Sequence, residues 1–222
     1  MVDVTYTLVI GNKNYSSWSM RAWLLLRFIE TPFEEVSIDL YRFGSRAAVQ
    51  ALGGETGLVP VLLDGGTAIW DTLAITEHLY ERHPAIWPAD RTERARARSY
   101  CGEVHSSLHA LREAMPVNTR GRNRVANRTT AVDADIERVI AIWSPAGQRA
   151  DGPWLFGQFC AADVMFAPIA SRFLTYGVAL EGTSKFYMDM LLSHALVQEW
   201  FARGVQEPAV IEQFELPDSR RG

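Results

Sequence analysis

Apolar and polar positions follow two different periods over the first third of the chain. Tyr6 to Ile10 (YTLVI) is a β-rich run closed by Gly11, and Ser19 to Glu30 (SMRAWLLLRFIE) has the length and residue types of a helix. Thr31-Pro32 stops that helix, and Phe33 to Leu40 (FEEVSIDL) alternates apolar and polar residues as a strand with one covered face does. A short helical segment around Arg46 to Leu52 follows. The stretch VPVLLDGGTAIWDT then reads as strands Val61 to Leu63 and Ala68 to Trp70, joined by the turn Asp64-Gly65-Gly66 into an antiparallel hairpin. Leu73, Ile75, Leu79 and Tyr80 suit a helix from about Asp71 to Arg82, so the order is β-α-β-α-β-β-α.

Everything after that reads as helical. The stretch RHPAIWPADRTERARA holds two prolines before a charged helix start, which makes Arg82 to Asp90 the linker candidate and separates residues 1–83 from 90–222, with 84–89 between them. A helix is expected from about Arg91 to Met115, ended by Pro116, and a second from about Ala131 to Trp143. A third, Ala161 to Tyr176, is apolar nearly all round and belongs in the middle of its domain. A last helix near His194 to Arg203 completes the set, and the tail ELPDSRRG is expected to fray. The fold class is therefore an α+β first domain followed by an all-α bundle.

Composition narrows the functions open to this chain. With 222 residues and 48% hydrophobic content there is ample material for a core, and a net charge of −4 argues against a general polyanion-binding surface, although Arg91, Arg94, Arg96 and Arg98 cluster locally. No nucleic-acid partner is expected. Two cysteines, Cys101 and Cys160, make no disulfide framework and no metal pair. The start Met1-Val2-Asp3-Val4-Thr5 lacks the pattern of a secretory signal, and no apolar run is long enough to span a bilayer. A soluble, cytoplasmic protein is the expectation. Nucleophile-elbow, dinucleotide, phosphate-loop and zincin motifs are missing from the sequence. His105 and His109 stand at i, i+4 on one helix as written, but no second cluster accompanies them, so no metal is assigned.

Three separated features carry chemistry. Ser16, Ser17 and Ser19 crowd the start of the first helix, where unpaired backbone N–H groups and the positive dipole end favour an anion. Val59-Pro60 precedes a strand, where a cis bond would turn the preceding backbone toward a ligand. Asp71-Thr72 opens another helix. Each has a plainer reading too: caps for the serines and for Asp71-Thr72, and the ordinary start of a strand for Val59-Pro60.

These features, with the connector WPADRTERARAR and the buried helix CAADVMFAP, resemble the cytosolic glutathione transferases, above all the serine-type zeta-like and theta-like classes. The resemblance covers almost the whole chain. It implies a thioredoxin-like N-terminal domain, an all-helical second domain, glutathione as co-substrate in the cleft between them, no metal, no membrane, and a homodimer. It also implies that Val59 pairs its backbone with the cysteinyl part of glutathione beside a cis Pro60, and that Asp71 and Thr72 hold the γ-glutamyl group. Counting back from Arg21 places the catalytic serine at Ser17 in a theta-like alignment and at Ser16 in a zeta-like one. Arg46 is the candidate for the glycyl carboxylate. Trp18, Cys101, His105, Leu108, Arg112 and Tyr176, with Arg172 beside it, are candidates for the electrophile pocket, core packing being the alternative.

The activity implied is conjugation of the glutathione thiolate to a hydrophobic electrophile, in the manner of a detoxifying transferase. Two alternatives stand beside it: cis-trans isomerisation of a maleylacetoacetate-type diketo acid, and a glutathione-binding or ligand-carrying protein with little turnover. Trp18 sits where the zeta-like pattern has cysteine. Cys160 stands where the family's folding signature, with Asp163, has a hydroxyl residue.

Overall fold

The computed structural model describes residues 6–219. The N-terminal Met1–Thr5, on which the reading of a missing signal rests, and the last three residues of the tail lie outside that range.

The first part of the chain is a four-stranded mixed sheet with helices, a thioredoxin-like domain. Strands β1 (Tyr6–Gly11), β2 (Phe33–Ile38), β3 (Val61–Asp64) and β4 (Thr67–Trp70) lie in the order β2-β1-β3-β4, with β1 and β2 parallel and the other pairs antiparallel. The crossover from β1 to β2 is helix α1 (Ser17–Phe28); α2 (Ser45–Ala51) leads into β3, and α3 (Thr72–Tyr80) follows β4. Alternation along β1 decides what each face meets. Leu8 and Ile10 join the main core with α1 and α3, while Val9 packs with Val61 and with Val49 of α2 on the opposite face. The chain passes through a short 3₁₀ turn, Pro84–Ile86, before the helical part begins.

That part is a bundle of α4 (Arg91–Ser106), α5 (His109–Ala114), α6 (Thr130–Trp143), α7 (Ala161–Tyr176), α8 (Gly182–Ser193) and α9 (Ala195–Gln206). Helix α7 is its axis, as its apolar sequence predicts: it packs against α1, α4 and α8. Asp163 sets its start. One carboxylate oxygen accepts from the Cys160 N–H at 2.9 Å, closing a capping box in which the thiol takes the place of a hydroxyl, and the other accepts from the Tyr187 hydroxyl at 2.7 Å.

Four expectations are corrected. The helix expected over Arg91 to Met115 is two helices, broken where Leu108 adopts a left-handed conformation, φ 59°. Ser106 and Ser107 donate their hydroxyls back to the carbonyls of Gly102 and Glu103, which loosens the ladder just before the break. The break also separates His105 from His109, so the two do not share a helix face. Helix α8 was not expected at all: it starts at Gly182 with φ 55° and its polar and apolar residues are mixed. The expected frayed tail is docked over residues 215–219, where Arg124 pairs with Glu215 and Val125 N–H donates to the Pro217 carbonyl at 2.8 Å. Among the described residues no helix is long and apolar enough to cross a membrane.

Candidate functional site

The loop between β1 and α1, residues 12–16, is buried and tied down on several sides. The backbone N–H groups of Lys13 and Asn14 donate to the Glu207 carboxylate at 2.7 and 3.0 Å, and Asn14 Oδ1 accepts from the Thr119 hydroxyl at 2.7 Å. Gly204 lets α9 approach: a Cβ there would lie 2.6 Å from Thr119 Oγ1. The Tyr15 hydroxyl donates to Glu215 at 2.6 Å and accepts from Arg120 at 2.8 Å. Burial beside that carboxylate raises the tyrosine above its usual range. The helical part and the C-terminal segment thus hold the start of α1 in place.

At that start the serines divide their tasks. Ser16 is the N-cap of α1: its Oγ accepts from the Ser19 N–H at 3.2 Å and donates to Ser19 Oγ at 2.7 Å, which in turn accepts from the Gly11 N–H at 3.0 Å. Both Ser16 and Ser19 are therefore committed within the fold. Ser17, the first helical residue, makes no side-chain hydrogen bond among the described residues and stands on the wall of a cavity of about 620 Å³.

The cavity opens between the two parts of the molecule. Its thioredoxin-like wall is built from Ser16 to Trp18, from Arg42, Ser45 and Arg46 at the start of α2, and from Gly57 to Val59. Val59-Pro60 is cis. The helical wall brings Arg112 of α5, Pro116, Val117 and Arg172 of α7, and Phe214 of the C-terminal segment closes one side. Among the described residues four arginines line it and no aspartate or glutamate does.

The other predicted residues lie elsewhere. Pro60, Asp71 and Thr72 are outside the lining. Asp71 caps α3, its carboxylate accepting from the Leu73 N–H at 2.8 Å, and its second oxygen is 3.1 Å from His105 Nε2. Thr72 is 1% exposed, with its hydroxyl unpartnered. His105 packs edge-on to Trp18, ring centroids 5.1 Å apart, and burial lowers its pKa, which favours the neutral imidazole. Cys101 and Leu108 are core residues, not wall residues. Burial pushes both the Cys101 and Cys160 thiols up, so neither supplies a thiolate at neutral pH. Tyr176 stands back from the lining, its hydroxyl donating to the Pro116 carbonyl at 2.9 Å. Among the described residues no three potential ligand side chains come together as a metal site.

Residues 15–82 match the family model of the glutathione S-transferase N-terminal domain. The match opens at Tyr15, beside the serines on the cavity wall, and takes in the cis Val59-Pro60 and the Asp71 cap. Over about nine tenths of its length the chain has the fold of solved glutathione transferases. It is similar to a glutathione transferase homolog from Burkholderia gl BGR1 with bound glutathione, with TM-score 0.68 and 24% identity, over 90% of this chain and 97% of that one. It is likewise similar to glutathione transferase Omega 3C from Trametes versicolor, with TM-score 0.69 and 17% identity, over 92% of this chain and 90% of that one. In sequence it is 24% identical to Protein IN2-1 homolog A of Oryza sativa subsp. japonica over 166 residues, 73% of this chain. The match spans 63% of that relative's length.

Proposed function

We propose that the protein is a glutathione transferase of the serine-using type, with Ser17 as the residue that holds the glutathione sulfur. The observation that carries this reading is the division of labour at the start of α1. Ser16 is occupied as the cap, whereas Ser17 keeps a free hydroxyl on the wall of the cavity. A thiol of pKa about 9 needs about two units of depression to be mostly thiolate at neutral pH, roughly 3 kcal/mol. A hydroxyl donating to a charged acceptor contributes about 1.5–3 kcal/mol and a helix N-terminus about 0.3–1. Together the two are sufficient. The thiol proton goes to solvent, the sulfur pair forms the new carbon–sulfur bond, and the leaving group departs with its bonding pair.

The rest of glutathione is assigned in the same proposal. Val59 meets the cysteinyl backbone, and Arg46, with Arg42 beside it, takes the glycyl carboxylate. The γ-glutamyl end is assigned to the head of α3. There Asp71 would exchange His105 for the ligand's ammonium, and the buried Thr72 hydroxyl would need to open before it could take part. The glutathione held by the Burkholderia structure supports this class of ligand. A homodimer is part of the same proposal: Tyr41, Phe43 and Leu58 are exposed apolar residues that a second copy would cover, and light scattering of wild type against Phe43→Asp tests it. The domain limits 1–83 and 90–222 and a cytoplasmic location belong to it as well.

A chlorinated nitroaromatic acceptor tests the activity. Conjugation should be measurable in wild type, and kcat/KM should fall about 10- to 100-fold in Ser17→Ala, in line with the loss of one hydrogen bond to a charged sulfur. A maleyl diketo acid turned over without net consumption of glutathione would favour the isomerase. Retention on immobilised glutathione with no turnover of either would favour the carrier.

A further inference from the structure

Three arginines meet behind the start of α1 with no carboxylate paired to them among the described residues. Arg172 of α7 is 5% exposed; its Nη1 donates only weakly to the Pro168 carbonyl, at 3.4 Å, and its Nε has no partner. Arg112 of α5 caps the frayed end of α4, donating to the carbonyls of Val104 and Ser107, and keeps a buried Nη1 with no partner. Arg21 of α1 is 0% exposed. Its Nε donates to the Met165 carbonyl at 3.0 Å while both terminal nitrogens are unpartnered. Trp18 joins them: the Arg21 and Arg112 guanidinium carbons lie 4.6 and 4.9 Å from the centre of its ring.

None of the three forms an ion pair with a carboxylate among the described residues. Asp135, the carboxylate that acts on Arg112, already accepts from the Leu111 N–H at 3.0 Å, and Asp71 is held by His105. Burial lowers all three guanidiniums; repulsion from Arg112 adds to it at Arg21 and at Arg172, which falls to about 9, while Asp135 partly offsets it at Arg112. An unpaired buried cation costs several kcal/mol of folding free energy, and guanidinium donors that find no protein acceptor are rare in a core. Two of these arginines, Arg112 and Arg172, reach the cavity wall opposite the glutathione side.

We infer that Arg112 and Arg172, with Arg21 and Trp18 behind them, form an anion-binding subsite that takes a carboxylate on the acceptor, so that the enzyme selects acidic electrophiles over neutral hydrophobic ones. The inference rests on the glutathione reading above for its placement relative to the sulfur. Glutathione's own carboxylates are assigned to Arg46 and to the head of α3, which leaves the helical wall to the second substrate. The fork of donors on each guanidinium suits a planar carboxylate.

Two measurements on the full-length protein separate this inference from the transferase reading. In the first, without glutathione, 3-nitrobenzoate and 3-nitrobenzamide are compared as ligands in thermal melts. The benzoate should raise the melting temperature of wild type and the amide should not, and Arg172→Met should abolish the benzoate shift while itself melting no lower than wild type. Arg172→Lys should restore part of the shift. In the second, 4-chloro-3-nitrobenzoate and 4-chloro-3-nitrobenzamide are compared as acceptors, each corrected for its uncatalysed rate. The carboxylate should be preferred in wild type, and the preference should fall at least tenfold in Arg112→Met and in Arg172→Met. Equal shifts for the two ligands, no shift for either, or turnover without acidic preference overturns the subsite. A selective benzoate shift with no conjugation of either acceptor leaves the subsite standing and overturns the transferase.

Discussion

The cavity's two walls carry the same charge in opposite settings. On the thioredoxin-like side Arg42 and Arg46 are exposed, free to be solvated whether or not a ligand is present. On the helical side Arg172 is buried and Arg112 half-buried, each with a buried donor unpaired among the described residues. An exposed guanidinium costs the fold almost nothing and so says little about use. A buried one without a counter-charge opposes folding, and the residues around it hold it in that state. The protein as a whole carries −4, so the concentration of positive charge in one cavity is a local arrangement, not a reflection of composition.

The largest expected effect concerns the support of the buried wall. Asp163 fixes the first turn of α7, the helix that carries Arg172, through Cys160 and Tyr187; Asp163→Ala should cost about 3–5 kcal/mol in denaturant unfolding, because it strips partners from a buried network. Burial holds the Asp163 carboxyl at about 6, above its unfolded value near 3.9. A raised acid contributes stability that is fully present below about pH 4 and is lost as pH rises through 6, by something on the order of 3 kcal/mol. Asp163→Asn should flatten that part of the stability–pH curve, and an unchanged slope would mean the carboxylate is ionised throughout.

The exposed wall should respond more mildly. Arg46→Ala, and the double change with Arg42→Ala, should raise KM for glutathione several-fold with little change in kcat, since these contacts hold ground state and transition state alike. Equal losses in kcat would place Arg46 nearer the sulfur than proposed. Smaller still is the effect of salt. Between about 0.05 and 0.5 M ionic strength, KM for glutathione should rise by a factor of two or three while any preference for an acidic acceptor persists, because screening acts on exposed charges and much less on buried ones. If the acidic preference is lost with salt as KM rises, the two walls do not differ in the way described.

How much of this was legible in the sequence also divides along the two parts. The order of elements in the first part, and the β3-β4 hairpin, follow from period-2 alternation, the Asp64-Gly65-Gly66 turn and the Pro32 stop, all local signals. Helix α7 was legible at both ends, from the Cys160–Asp163 spacing to the closing Gly177. The break between α4 and α5 was hidden because SSLHALREAM keeps good helix formers on both sides; the pair Ser106-Ser107 was the available warning. Glu207 and Glu215 could not be found as supports of the first loop, since their partners lie far away in the chain. The serines were legible as a site, but their division of labour was not, because it depends on which hydroxyl meets Ser19. Arg172 was legible as a pocket candidate, whereas Arg21, an arginine inside a run of otherwise apolar helix, served only as the anchor for counting back to the serines.

The claim on which the account turns is that Ser17, not Ser16, faces the glutathione sulfur. The thiolate absorbance of bound glutathione, titrated in wild type, Ser17→Ala and Ser16→Ala, tests it directly. The account predicts a rise of about one to two pH units in the bound thiol's pKa for Ser17→Ala. Ser16→Ala should leave that pKa near the wild-type value and lower stability by about 1 kcal/mol, as loss of an N-cap does. An unchanged pKa in Ser17→Ala, or a rise confined to Ser16→Ala, would contradict it.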